Sequence, residues 1–180
     1  KKKFLCPSCD AKRALLFGEH LHENILLPAP HVHQVWSVPK ILRPRFKFNR
    51  SLFQLLFDAA WDSWRELVDD ALPGCTPAGV LSLHTSGTLL LWHPHIHGIS
   101  LYGGVDHQGK IRLLESVDTD YLTNCFSRNL LDALLDRRGA TELCGNGKTV
   151  QATADGFCQM SLQQIARPRA LLPDDKWLVA

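Results

Sequence analysis

The stretch Trp92-His93-Pro94-His95-Ile96-His97-Gly98 sets three histidines at alternate positions. In a β-strand, residues two apart share a face. His93, His95 and His97 therefore project together, with Pro94 and Ile96 turned to the other side. Imidazoles so spaced can converge on one divalent ion, histidine being a common ligand of Zn, Mn and Fe. His84 is a further candidate, 11 residues before His95 on the preceding strand. A hairpin at Ser86-Gly87 can bring it beside the pair, while the sequence leaves the register open. One histidine on a strand is ordinarily a packing or surface residue; three in alternation beside a fourth point to a metal.

Working outward, residues 79–85 and 89–101 read as the two strands of that hairpin. Residues 31–38 alternate as a strand that stops at Pro39. Gly103-Gly104 and residues 106–109 mark turns before a short strand over 111–114. Leu15, Leu16, Leu21 and Leu26 predict a helix over 14–27, ended by Pro28 and Pro30. The clearest helix spans 51–70, where Phe53, Leu56, Phe57, Ala60, Trp64, Leu67 and Val68 recur at spacings of three and four. Asn49 or Ser51 is its candidate cap. A second helix covers 119–137, and a short one is expected near Cys158–Ala166. Strands joined by a hairpin and mixed with helices imply an α+β fold, an antiparallel sheet with helices packed on it.

The 180 residues allow one domain and a small appendage. Hydrophobic residues at 45% and charged residues at 21% fit a globular protein, and a net charge of +2 does not by itself argue for nucleic acid. No apolar run approaches the roughly 20 residues that cross a bilayer. The start, Lys1-Lys2-Lys3-Phe4-Leu5-Cys6, has neither a signal peptide's apolar core nor an initiator Met. The chain therefore reads as cytoplasmic, with no membrane partner, and as a fragment of something longer. Cys75, Cys125, Cys144 and Cys158 lie far apart and read as buried small hydrophobes rather than a disulfide framework.

The histidine strand resembles the HUH motif (His, hydrophobic, His) of single-stranded-DNA nucleases. It is most similar to the version carried by rolling-circle insertion-sequence transposases. Cys6-Pro7-Ser8-Cys9, with Lys12-Arg13-Ala14 and Gly18-Glu19-His20, is similar to the end of that family's N-terminal zinc-binding segment. The stretch 31–39, Gly103-Gly104 with Gly109, and Cys125-Phe126-Ser127-Arg128 fall in the family's order. The resemblance implies a segment 1–27, closing a zinc-binding element and adding a linker helix, then a transposase core over 28–180. In that core a palm-like sheet carries the metal ligands His95 and His97, with His84 as third ligand and His93 as its substitute. The implied cofactor is Mg or Mn, which polarises the scissile phosphate, and the implied partner is single-stranded or hairpin DNA of a mobile element.

The family's nucleophile is a tyrosine on a C-terminal helix, in a segment resembling Tyr-Ile-Ala-Arg-Pro. Here the segment reads Gln164-Ile165-Ala166-Arg167-Pro168. A glutamine amide has no ionisable oxygen for a phosphodiester link, so Gln164 leaves the catalytic residue unassigned. Tyr102 and Tyr121 remain, and both read as packing residues. Cys6 and Cys9 supply half of a tetrahedral zinc site. His20 and His22 are a tightly spaced way to complete it, and a remnant of a longer zinc ribbon is the favoured reading. Lys40, Arg43, Arg45, Lys47 and Arg50 share one basic loop with Phe46 and Phe48, suited to phosphates and to stacking on unpaired bases. A solvated turn with both phenylalanines tucked inward is the alternative. Arg167 is a second candidate phosphate contact.

Two rival functions are open. One is a non-catalytic metal- and DNA-binding remnant, which Gln164 favours. The other is a metal-dependent hydrolase using the HxH strand. The amidohydrolase barrel needs about 250 residues, and a metallo-β-lactamase expects Asp-His where Gly98-Ile99 stands.

Overall fold

In the computed structural model, residues 7–86, 91–136 and 163–165 are described. The chain divides into two compact units between Ala29 and Pro30. The first carries helix α1, Pro7–His20, continued by one π-helical turn over Leu21–Ile25. The helix starts at Pro7 rather than at residue 14. Proline suits a first turn, where its missing N–H would have no intrahelical partner. The π turn closes with the Leu26 N–H on the Leu21 carbonyl at 2.8 Å.

Among the described residues, the second unit is built on a four-stranded antiparallel sheet. Its strands are β1 (His31–Ser37), β2 (Gly79–Ser86), β3 (Trp92–Leu101) and β6 (Gln163–Ile165), in the order β2-β3-β1-β6. Between them along the chain come α2 (Arg43–Phe48), α3 (Leu52–Ala71), a β4–β5 ribbon (Gly103–Val105, Ile111–Leu113) and α4 (Thr119–Asp136). The α+β architecture follows the alternation and helical periodicity of the sequence. Residues 163–165 instead pair with β1, opposite 31–33, and are not the expected helix. Three residues carry little local preference, and a free sheet edge supplies the hydrogen bonds that fix them.

The two faces of the sheet divide by parity. Val32, Trp36 and Ile96 are buried on one face together with Leu56, Trp64, Leu122 and Phe126 from α3 and α4. Trp36 and Phe126 meet at 5.1 Å between ring centroids. Each such fully buried side chain contributes about 1.5–3 kcal/mol, so this layer anchors the unit. Gly98 belongs to the same face. A Cβ there would stand 2.8 Å from Leu81 and 3.1 Å from Gln34 Oε1, so its bare backbone lets those side chains cross β3. Gly103, at φ +151, is closer still, a Cβ falling 1.9 Å from the Arg112 carbonyl oxygen.

Asp118 caps α4, its carboxylate accepting the N–H groups of Asp120 and Tyr121. At α3 neither expected cap forms by side chain. Asn49 instead accepts the N–H and hydroxyl of Ser51. Cys75 and Cys125 are buried, as their apolar surroundings suggest; Cys144 and Cys158 lie outside the described residues.

Candidate metal centre

The face of the sheet opposite α3 and α4 carries the histidines. The register sets His84 across from His95 on one side of β3, and Ser37 and Val35 across from His95 and His97 on the other. Ligand-capable nitrogens of His84, His95 and His97 all lie within 4.8 Å of one another. Ring centroids are 4.5 Å apart for His84–His97 and 4.9 Å for His95–His97. His95 is buried, His97 half-buried and His84 exposed, so the cluster is held from below and open at one side. The structure thus brings together the three residues singled out from the sequence.

His95 Nε2 and His97 Nε2 are 3.1 Å apart. Two imidazole nitrogens about 2.0–2.1 Å from one ion sit about 2.9–3.4 Å from each other, from right-angle to tetrahedral arrangement. The spacing fits shared coordination. His95 Nδ1 lies 2.7 Å from the His93 carbonyl oxygen. A carbonyl only accepts, so that nitrogen carries the proton and leaves the Nε2 lone pair facing the cluster. His93 therefore supports the group through its backbone. Its ring lies 4.9 Å from that of His95, and its Nε2 is buried with no hydrogen-bond partner.

Burial, reinforced by the neighbouring His84, His95 and His33, pushes the His97 imidazolium pKa down to about 4. Burial and His95 lower that of His84; burial, Arg43 and His95 lower that of His93. These groups are held neutral, the form that binds a metal ion.

His33 is the residue that sequence reasoning missed. Its Nε2 is 2.9 Å from His97 Nδ1 and the two rings are within 9° of parallel. The signal was present in His31-Val32-His33, a second alternating pair on what reads as a strand.

The other candidates are placed differently. Tyr102 is half-buried against the core. Tyr121 lies in the helical layer, beyond the sheet from the histidines, and its hydroxyl donates to Asp70. That bond raises its pKa, the reverse of what a nucleophile needs. Gln164 stands in register opposite Val32 on β6, with β1 between it and the histidine strand. Cys9 is exposed on α1. It lies about 16 Å along the helix axis from His20, at about 1.5 Å per residue. A local site joining Cys9, His20 and His22 is therefore excluded. Cys6 and Arg167 lie outside the described residues.

The expected basic loop is a short helix. Residues 43–48 form α2, pinned to the histidine strand by the Trp92 indole N–H on the Arg43 carbonyl at 2.8 Å. Arg43 is half-buried, its Nε donating to the Val38 carbonyl at 3.0 Å. Lys40, Lys47 and Arg50 are exposed and Arg45 is half-buried. The two phenylalanines part company: Phe46 is in the core, whereas Phe48 is 83% exposed beneath Lys47. Among the described residues no helix is long and apolar enough to cross a membrane.

Residues 79–166 match the family model described as "Putative transposase". That segment holds both strands of the histidine hairpin. The chain is also 38% identical over 105 residues to the transposase for insertion sequence element IS801 of Pseudomonas savastanoi pv. phaseolicola. The shared region is 58% of this chain, and the chain spans about a quarter (25%) of that relative. No solved structure matches.

Proposed function

We propose that this relative of the rolling-circle insertion-sequence transposases is the metal- and DNA-binding core of a transposase that cuts single-stranded DNA. The convergence of His84, His95 and His97 on one face of the sheet carries the reading. These side chains would hold a divalent ion, Mg or Mn. Imidazole donors favour the transition metal, since Mg prefers oxygen ligands. Bound there, the ion supplies Lewis-acid polarisation of a phosphate oxygen. His84, exposed at the rim, leaves room for a phosphodiester to approach. Exposed Lys40, Lys47 and Arg50 would neutralise neighbouring phosphates, and Phe48 offers a stacking face for an unpaired base. The partner is single-stranded or hairpin DNA of a mobile element, met in the cytoplasm.

Gln164 favours a second reading of the same site, a copy that binds metal and DNA without cutting. Nothing at that position can form a phosphoester with DNA. A metal-dependent hydrolase is disfavoured, since a four-stranded antiparallel sheet is not the barrel that amidohydrolases use. Residues 1–27 are assigned to the end of a zinc-binding segment, with Cys6 and Cys9 as half of its ligands.

Labelled single-stranded oligonucleotides incubated with the chain and Mn, then run on a denaturing gel, test this function. The chain should bind the oligonucleotide in a metal-dependent manner and leave no covalent adduct; an adduct gained in Gln164→Tyr would mark a copy that lacks only its nucleophile. An adduct with the unaltered chain would exclude the non-cutting reading. Binding indifferent to both metal and DNA would sink the whole assignment.

A further inference from the structure

We propose that His33 is a positioning residue of the metal centre, setting the tautomer in which His97 presents Nε2; this rests on the metal-site reading above. Four groups form one chain of hydrogen bonds. His33 Nε2 lies 2.9 Å from His97 Nδ1, His97 Nε2 lies 3.1 Å from His95 Nε2, and His95 Nδ1 lies 2.7 Å from the His93 carbonyl. The carbonyl fixes the direction of the whole chain, because it can only accept. His95 is then protonated on Nδ1 and bare on Nε2, so the proton between the two Nε2 atoms belongs to His97. His97 Nδ1 is bare in turn and accepts from His33 Nε2–H.

This metal-free arrangement blocks the His97 Nε2 lone pair, one of the three that a cation would take. For His97 Nε2 to ligate, its proton must leave and Nδ1 must become the protonated nitrogen. His33 makes that exchange possible in place. The His33 Nε2 proton passes to His97 Nδ1, the His97 Nε2 proton passes to solvent, and His33 takes a proton from solvent on Nδ1. All three rings stay neutral and the proton count is unchanged. The same 2.9 Å hydrogen bond then runs the other way, from His97 Nδ1–H to His33 Nε2. A ligating histidine whose other nitrogen donates to a fixed acceptor is held in orientation and made more basic. The rings are within 9° of parallel and their nitrogens already stand 2.9 Å apart, so the reversal needs no movement of either ring.

The test combines nitrogen-15 NMR of the imidazoles with calorimetric titration of Mn, on the unaltered chain, His33→Phe and His33→Gln. Without metal, His97 should be the Nε2–H tautomer; with Zn as a diamagnetic substitute it should become the Nδ1–H tautomer. His33→Phe keeps the ring's bulk but removes the acceptor, and should weaken Mn binding by about 10–100-fold. His33→Gln offers an amide oxygen to Nδ1–H and should recover most of that loss. An unaltered chain that binds metal equally well as His33→Phe overturns the role of His33 alone. An unaltered chain that binds no metal overturns the metal centre and this inference with it. A Gln variant as weak as the Phe variant, with an unchanged fold by circular dichroism, also counts against a hydrogen-bonding role.

Discussion

His95 and His97 stand two residues apart on one strand, yet the surroundings give them different duties. His95 is buried and tied to the strand's own backbone at His93, whereas His97 faces His33 and His84 from neighbouring strands. Replacing both with alanine removes two of three donors and should abolish Mn binding in calorimetry. His84→Ala, taking away one exposed donor, should weaken binding yet leave it measurable. His93→Ala should change it little, since alanine keeps the carbonyl that orients His95. A large loss in His93→Ala would restore its imidazole as a ligand. Parity alone made the shared face of His93, His95 and His97 legible in the sequence. It could not rank them, because only His95 and His97 share a cluster with His84, and that depends on the register of β2 against β3.

At the level of elements, α2 shows where local pattern falls short. Six residues that include Pro44 make too little helix for an amphipathic period to emerge, and isolated helices of that length have no stability of their own. Packing decides it: Phe46 enters the core beside Phe53, 5.9 Å between ring centroids, and Trp92 holds the Arg43 carbonyl. The same division predicts opposite behaviour for two neighbouring aromatics. Phe46→Ala should destabilise the fold by about 3–5 kcal/mol, seen as a lower midpoint in urea. Phe48→Ala should leave that midpoint in place and weaken single-stranded DNA binding, by about 1–3 kcal/mol if a base stacks on it. Lys47→Ala with Arg50→Ala should make log K less steep in log salt by about 1.4, two phosphate contacts at about 0.7 each. An unchanged salt slope would remove α2 from the DNA interface. By contrast α3 was readable almost to the residue, since twenty residues at helical period leave no competing arrangement.

For the whole molecule, the sheet's two faces have different relations to pH. The face under α3 and α4 is largely apolar, its buried polar side chains Gln34 and Ser100 being neutral, and is indifferent to protons. The other collects histidines whose charged forms the fold disfavours, and this cost was invisible in the sequence because it arises between strands far apart in the chain. His33 comes to within 2.9 Å of His97 across 64 residues. Likewise β6 owes its extended form to the edge of β1 rather than to its own three residues, so the expected C-terminal helix was wrong there. The histidine cost sets a direction for stability. His97 is held at about 4 in the folded chain against an ordinary 6.5. Between those values the unfolded chain binds a proton that the folded chain refuses, so the slope of unfolding free energy with pH is positive. Stability is full above about 6.5 and is lost as pH falls towards about 4. His84 and His93, lowered in the same sense, add to the loss. In thermal melts of chelator-treated protein, the midpoint should fall steadily from pH 7 to pH 4, as protons refused by the folded histidines are taken up on unfolding. His97→Gln, which cannot take that proton, should fall less steeply over the same interval. Equal slopes for the two proteins would mean that His97 takes no part in the acid loss of stability.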